Sequence, residues 1–177
     1  MRARHALAAL ALGAIAWAGA QGYPNADLLV EPSWLAARLG AGELLVVDAR
    51  DPARHEEAHV PGAVSVPVDA VVTTVDGVPF ELDLDGAVDA LRAAGLRSDH
   101  TVVIYDDLGM MDAARLFWTL EYLGVEEVRV MNGGWDAWRE AGGPVESGPV
   151  ATGRSAFEPR VEAALLITAD ELAARLG

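Results

Sequence analysis

The chain has 177 residues and is 52% hydrophobic, which suits one globular domain with its own core and excludes a disordered protein. Its formal charge of −14 disfavours a nucleic-acid partner or an anionic membrane surface. All 13 basic residues are Arg and there is no Cys, so Schiff-base lysines, Walker-type phosphate loops and disulfides are excluded.

The N-terminus has the pattern of a secretory signal peptide. Arg2 and Arg4 give a positive start, residues 6–16 are almost wholly apolar, and residues 18–20 (Ala-Gly-Ala) resemble a cleavage site. The apolar run is shorter than the roughly 20 residues that a membrane-spanning helix needs. We therefore expect residues 1–20 to be a signal peptide and the mature chain to be exported, to a periplasm, with no membrane attachment. An uncleaved anchor is the alternative.

Strand and helix patterns alternate along the rest of the chain. Short apolar runs predict strands at residues 44–48, 63–66, 101–105 and 127–131. Apolar stripes at helical spacing predict helices at residues 33–39, 51–58, 85–94, 112–123 and 135–141. Residues 71–84 are expected to be irregular, because Gly77 and Pro79 interrupt any pattern. This alternation predicts an α/β fold with a mainly parallel central sheet flanked by helices on both faces.

The C-terminal part contains an internal repeat. Residues 142–160 are rich in Gly, Pro and Ser and predict a linker or a crossing arm. Beyond them, LLITADELAARLG at residues 165–177 repeats LLVEPSWLAARLG at residues 28–40. We interpret residues 149–164 as an interdomain linker and residues 165–177 as the start of a second, truncated copy of the domain.

The stretch TVVIYDDLGMMDAAR at residues 101–115 predicts a buried strand, a tight loop and the start of a helix. Backbone N–H groups and the helix dipole at such a place favour an anion or a thiolate. The predicted anion cradle consists of Asp106, Asp107, Leu108, Gly109, Met110 and Met111. It begins with a carboxylate and holds no nucleophile. Alternatively, Asp106 simply caps local backbone N–H groups, because the donors that would stabilise a thiolate also stabilise a carboxylate.

The same loop raises the question of a metal site. Asp106, Asp107 and Asp112 place three carboxylates near one another, which would suit Mg²⁺ or Ca²⁺. Their spacing fits neither an EF-hand nor a D-x-D strand end, and Asp112 is better explained as the cap of the following helix. We therefore expect no metal and no cofactor.

Two motifs resemble those of a known family. DAR at residues 48–50 with EEAHVPGAVSVP at residues 56–67 resembles the first signature of rhodanese-type sulfurtransferases, and VRVMNGGWDAW at residues 128–138 resembles the second. The resemblance covers residues 28–148 and implies a rhodanese-like domain. Two such domains joined by a linker form the thiosulfate and 3-mercaptopyruvate sulfurtransferases, which matches the internal repeat.

The resemblance also assigns a role to the loop. In an active rhodanese-like domain a Cys thiolate at its start takes up a sulfane sulfur as a persulfide and passes it to a thiophilic acceptor. Asp106 stands there in this chain, as in the N-terminal, non-catalytic half of tandem sulfurtransferases. A hard carboxylate forms no persulfide, so the chain alone is expected to be catalytically silent. The implied partners are a second rhodanese-like domain and a small sulfur donor. The alternative is a stand-alone binding module of the cell envelope.

Three further residues are candidates for the site. A carboxylate that orients a His is a common base arrangement, and the resemblance implies that Asp48 and His59 lend such a pair to the nucleophile loop of a second domain. Alternatively, His59 bonds to the backbone and fixes the Pro-Gly turn. Arg50 is expected in a buried ion pair or on loop carbonyls, with substrate binding as the alternative.

Overall fold

The computed structural model describes residues 25–75 and 78–176. Five strands form the central sheet in the order β1-β7-β6-β2-β3, and each neighbouring pair is parallel. These strands are β1 (Leu29–Val30), β2 (Leu44–Asp48), β3 (Val64–Ser65), β6 (Thr101–Tyr105) and β7 (Glu127–Met131), and the two-stranded sheet between them in sequence is β4 (Val72–Val75) with β5 (Val78–Leu82). The predicted fold class is confirmed. The predicted signal peptide lies outside the described residues.

Six helices accompany the strands in the described chain. They are α1 (Pro32–Ala36), α2 (Pro52–Glu57), α3 (Leu84–Ala93), α4 (Met111–Tyr122), α5 (Gly134–Glu140) and α6 (Ala169–Leu176). Three of them begin at a side-chain cap from the preceding residue: Asp51 accepts a hydrogen bond from the N–H of Ala53, Asp83 accepts one from Gly86, and Thr168 accepts one from Glu171. None of these helices has the length and apolar character to cross a membrane.

The sheet carries a separate apolar core on each face, because alternate strand residues point to opposite sides. Val47 and Ile104 pack in the core that α3 and α4 cover. Val46 and Val103 pack in the other, with Leu35 of α1 and Trp138 of α5. Both faces of β2 and β6 are therefore buried, as expected of the continuous apolar runs that form central parallel strands.

The expected irregular stretch is instead an antiparallel hairpin. β4 and β5 pair from Val72 with Leu82 to Val75 with Val78, with a register shift between Thr73 and Thr74. A two-stranded ribbon outside the main sheet accepts Pro79, which a central strand would not. The sequence signal was Asp76-Gly77, a common hairpin turn between two β-prone runs.

The arm after α5 packs on the same body. The N–H of Ser155 donates to the carbonyl of Arg92, and the N–H of Arg160 donates to Leu123, each at 2.9 Å. Phe157 is buried in the core beneath α3 and α4. The arm therefore crosses the domain in contact with it. The assignment of residues 149–164 as a linker to a second domain stays a prediction.

Candidate functional site

The candidate site lies where β2 and β6 end side by side. Asp48 of β2 is in register with Tyr105 of β6, and Asp106 follows one residue later. Because parallel strands end at the same edge of a sheet, the loops after β2 and β6 meet there. Asp48 and Asp106 are both buried, so two carboxylates lie near one another with little access to water.

Asp106 is held by four backbone N–H groups of its own loop and the first turn of α4. Its Oδ1 accepts from Leu108 at 3.2 Å and from Met110 at 2.9 Å. Its Oδ2 accepts from Asp112 at 2.9 Å and from Ala113 at 3.0 Å. Amide groups that surround an anion at a helix N-terminus stabilise it through charge-assisted hydrogen bonds. Of the residues predicted to form an anion cradle, Leu108 and Met110 donate to Asp106, and the other two donors, Asp112 and Ala113, lie beyond the predicted range.

The backbone turns sharply to aim these N–H groups inward. Gly109 has φ +67° and Met110 has φ +72°, and Met110 is the single non-glycine residue with positive φ in the described chain. Met110 occupies the N-cap position of α4 without a side-chain cap, so the expected capping role of Asp112 was wrong. Asp106 takes that role from outside the helix, because its Oδ2 accepts from the first-turn N–H groups of Asp112 and Ala113.

The loop between β7 and α5 holds the Asp106 loop in place. The N–H of Trp135 donates to the carbonyl oxygen of Asp106 at 2.8 Å. Gly134, with φ +58°, passes so close that a Cβ there would collide with that oxygen. The Asn132-Gly133-Gly134 turn predicted from the sequence therefore positions the Asp106 loop.

The other side of the loop faces outward. Leu108 and Met111 are exposed, while Asp107 is half-buried and forms an ion pair with Arg54 of α2. In front of them lies a cleft of about 580 Å³, whose lining includes Arg50, Asp107 and Trp135. The loop thus presents apolar and charged side chains while its amide groups point inward to Asp106.

Asp48 is surrounded by side-chain donors. Arg50 donates from Nε to Oδ1 at 2.8 Å and from Nη2 to Oδ2 at 2.7 Å, and the Tyr105 hydroxyl donates to Oδ2 at 2.7 Å. His55 Nδ1 lies 3.1 Å from the same oxygen. Burial opposes ionisation of Asp48, but the bonds from Arg50 and His55 outweigh it and lower its pKa to about 2. Burial also raises the pKa of the Tyr105 hydroxyl, so it remains a donor.

The structure places His55, not His59, against Asp48. His59 Nδ1 lies 2.7 Å from the carbonyl oxygen of His55, and the two imidazole rings stack with centroids 4.0 Å apart. The backbone of His59 also forms a bridge with Glu146. The expected Asp48–His59 contact is therefore not formed, and His59 makes the backbone bond that was the alternative. Its Nε2 is enclosed and has no hydrogen-bond partner in the described chain.

Arg50 makes both kinds of contact expected of it. It forms the buried ion pair with Asp48, and its Nη2 donates to the carbonyl of Ala58 at 2.7 Å. Its guanidinium also lies 4.2 Å from the ring centroid of Trp135. These contacts join the ends of β2, α2 and α5 at one side of the cleft. Desolvation opposes its charge, but the pairing with Asp48 raises the pKa of Arg50.

The site's chemistry is that of a fixed anion, not of a nucleophile. The chain has no Cys, and the oxygens of Asp106 are occupied by amide groups. Within residues 25–75 and 78–176, no three His, Asp or Glu side chains are grouped so that they could hold a metal ion. The sequence did not reveal His55 and Tyr105 as partners of Asp48, because α2 and the β2–β6 register create those contacts.

Comparison with known proteins identifies the family. The profile of the rhodanese-like domain matches residues 31–141, which is more than half of the chain. The chain belongs to the rhodanese-like domain family. The resemblance carried by the two sequence motifs is thereby confirmed.

Several relatives of this rhodanese-like domain are sulfurtransferases. A probable 3-mercaptopyruvate sulfurtransferase of Pseudomonas aeruginosa is 37% identical over 166 residues, covering 84% of this chain and 57% of the relative. A thiosulfate sulfurtransferase of the same organism is 38% identical over 117 residues, covering 66% and 43%. The chain thus spans about half the length of the curated relatives it matches.

Solved structures support the fold assignment. SseA from Escherichia coli, described as a 3-mercaptopyruvate sulfotransferase with the rhodanese fold, matches with a TM-score of 0.75 at 23% identity, over 83% of this chain and 60% of that one. The 3-mercaptopyruvate sulfurtransferase from Leishmania major matches with a TM-score of 0.65 at 27% identity, over 76% and 41%. The parallel sheet and its flanking helices are therefore those of a rhodanese domain.

Proposed function

We propose that this chain supplies the non-nucleophilic rhodanese-like domain of an exported sulfurtransferase. The whole protein would move sulfane sulfur from thiosulfate or 3-mercaptopyruvate to a thiophilic acceptor. One observation carries the proposal: the carboxylate of Asp106 receives the four amide hydrogen bonds that, in an active domain, would stabilise a thiolate and its persulfide.

The chemistry requires a nucleophile from elsewhere. A thiolate attacks the outer sulfur of thiosulfate, the sulfur–sulfur bond breaks, sulfite leaves with the bonding electron pair, and the enzyme retains a persulfide. A carboxylate is too hard to make this bond, and Asp106 is already fully hydrogen-bonded. The nucleophilic Cys would therefore lie in a second rhodanese-like unit.

The internal repeat supports such a second unit. In the first copy, Val30 of β1 is 3% exposed and Leu35 of α1 is 0% exposed. The matching residues of the repeat are Ile167, 41% exposed, and Leu172, 46% exposed. The repeat thus carries apolar residues like those of β1 and α1, but within residues 25–75 and 78–176 they stay exposed. We propose that it begins a second domain of the same fold.

In this proposal the first unit forms one wall of the cleft. Arg50 and Asp48 hold that wall rigid, and His59 retains Nε2 without a partner. That nitrogen is enclosed, and His59 is only 1% exposed, so it is not offered to a second unit directly. The proposed role of Asp48 and His59 is therefore to fix this wall: Asp48 holds the His55 ring, and His59 bonds to the His55 carbonyl and stacks on that ring.

A sulfur-transfer assay tests the silence of this chain. With thiosulfate and cyanide, the purified chain should form no thiocyanate above the uncatalysed rate. The Asp106→Cys variant is the control, because its thiol would sit in the same amide cradle and should gain one sulfur atom in intact-mass measurements after exposure to thiosulfate. Thiocyanate turnover by the unaltered chain would overturn the proposal.

The second candidate is a stand-alone binding module of the cell envelope, which the completed Asp106 loop favours because it needs no nucleophile. The genomic reading frame after Gly177 distinguishes the two. A further DAR-type strand followed by a loop that begins with Cys supports the sulfurtransferase, and a stop codon supports the module.

Export itself is tested by fractionating cells that produce the tagged chain. We expect a periplasmic product that lacks residues 1–20. A cytoplasmic product that retains those residues would contradict export.

A further inference from the structure

A second cleft lies on the outer side of α4 and shares no lining residue with the Asp48 and Asp106 clusters. We call it the α4 groove. It has a volume of about 510 Å³, within the range of small-molecule sites. Its walls come from three parts of the chain: α4, the end of β5 with the start of α3, and the segment before α6. The residues used below are Leu82, Leu84, Arg115, Trp118, Tyr122 and Leu166.

Arg115 is the cationic group of this groove. Its Nε is enclosed and has no hydrogen-bond partner, and no carboxylate of the described chain lies within ion-pair distance of its guanidinium. Arg92 and Arg97, by contrast, pair with Glu158 and Asp99. The positive charge of Arg115 therefore has no counter-charge from the described chain and can attract an anion.

Two aromatic rings of α4 lie in a row beside Arg115. The Arg115 guanidinium lies 5.6 Å from the Trp118 ring centroid, and the Trp118 and Tyr122 rings stack with centroids 5.3 Å apart and planes 16° apart. Both rings remain half-buried rather than covered. Leu84 and Leu166, on the other walls, are each exposed. The groove therefore offers an apolar, partly aromatic floor with a cation at one position.

We propose that the α4 groove binds a small aromatic monocarboxylate. Its ring would lie against Trp118 and Tyr122 and replace water on Leu82, Leu84 and Leu166, and its carboxylate would pair with the outer nitrogens of the Arg115 guanidinium. A planar guanidinium recognises a carboxylate through such charge-assisted bonds. Glu81 also lines the groove, so a second negative charge on the ligand would be repelled. The part of the site on α4 and β5 is independent of the sulfur-transfer proposal, whereas Leu166 belongs to the segment proposed to begin a second domain.

Isothermal titration of the full chain with phenylacetate tests the site, with phenylacetamide as the neutral ligand of the same shape. We expect saturable 1:1 binding of phenylacetate with a Kd on the order of 1 mM or tighter, and binding of the amide at least about tenfold weaker. In ¹H–¹⁵N spectra the Arg115 Nε–H signal should move on addition of phenylacetate. Absence of saturable binding, or equal binding of the amide, would overturn the proposal.

Variants locate the binding. Arg115→Gln should remove the preference for the carboxylate, and Trp118→Leu should weaken both ligands. Arg38→Gln is the matched control, because Arg38 also lies over a tryptophan, Trp34 of α1, at 4.0 Å, but is not part of the groove. Thermal melts check that each variant is folded.

Light scattering tests whether a second copy of the chain fills the groove instead of a small ligand. A dimer that Trp118→Leu converts to a monomer would show that a second copy fills the groove, and would overturn the proposal.

Discussion

Asp48 and Asp106 are two buried carboxylates at the ends of neighbouring strands, and the protein neutralises them in different ways. Side chains surround Asp48, with Arg50, His55 and Tyr105 all within hydrogen-bond distance. Asp106 meets only backbone N–H groups. The first arrangement depends on which residues are present, and the second depends on the path of the chain.

This difference explains how such a domain can lose its nucleophile and still keep the loop that surrounded it. A cradle of amide groups accepts any anion of suitable size, so a carboxylate can occupy the place of a thiolate without any change of the surrounding side chains. A cluster of side chains such as that of Asp48 binds only its own partners. The scaffold around Asp106 can therefore persist in a domain whose nucleophile is absent.

The largest expected effect comes from breaking the side-chain cluster. Asp48→Ala leaves the buried guanidinium of Arg50 without its counter-charge, and we expect a loss of about 3–5 kcal/mol of unfolding free energy, measured in urea. The double variant Asp48→Leu with Arg50→Met removes both charges and should lose clearly less. Equal losses in the two variants would show that packing, not charge pairing, maintains this cluster.

Removing the carboxylate from the backbone cradle should lower the unfolding free energy by a smaller amount. Asp106→Ala leaves four amide groups without their acceptor, but water can reach a loop of this kind once the carboxylate is gone, so we expect a loss of about 1–3 kcal/mol. Asp107→Asn, at the neighbouring half-buried position, serves as the matched control. If Asp106→Ala unfolds at the same urea concentration as the parent chain, the cradle does not need an anion.

The pH dependence of stability separates the two carboxylates further. The pKa of Asp48 is lowered from 3.8 to about 2 in the folded chain, so its contribution is complete above about pH 4 and is lost as the pH falls through 2. The expected loss over that interval is on the order of 2 kcal/mol. Urea unfolding at a series of acidic pH values measures it, and Asp48→Asn should remove this part of the slope. An unchanged slope in Asp48→Asn would assign the acid sensitivity to other carboxylates.

The smallest effect is expected at the exposed ion pair beside the same loop. Arg54 is mostly solvent-exposed where it meets Asp107, and such pairs contribute little in water. Arg54→Ala should therefore change the unfolding free energy by about 0.5 kcal/mol or less. A loss as large as that of Asp106→Ala would mean that the loop depends on this side-chain contact, and the contrast with Asp48 would fail.

The elements that agree with the sequence are those decided by local patterns. The strands β2, β6 and β7 match their predicted ranges, since β2 and β6 are buried on both faces and β7 buries Val128, Val130 and Met131. The hairpin of β4 and β5 was missed because Pro79 was expected to interrupt any pattern, whereas a two-stranded ribbon outside the main sheet accepts a proline. Asp112 was misassigned because the group that caps α4 comes from Asp106, which is outside the helix.

The sequence by itself determined the α/β class, the family motifs, the lack of a thiol, and a loop of amide groups that begins with Asp106. Only the tertiary structure decided what each carboxylate contacts. The β2–β6 register brings Tyr105 to Asp48, α2 brings His55, and the turn at Gly134 holds the Asp106 loop closed. Local patterns depend on neighbours in the chain, whereas hydrogen bonds between buried groups depend on distances that only the packed elements set.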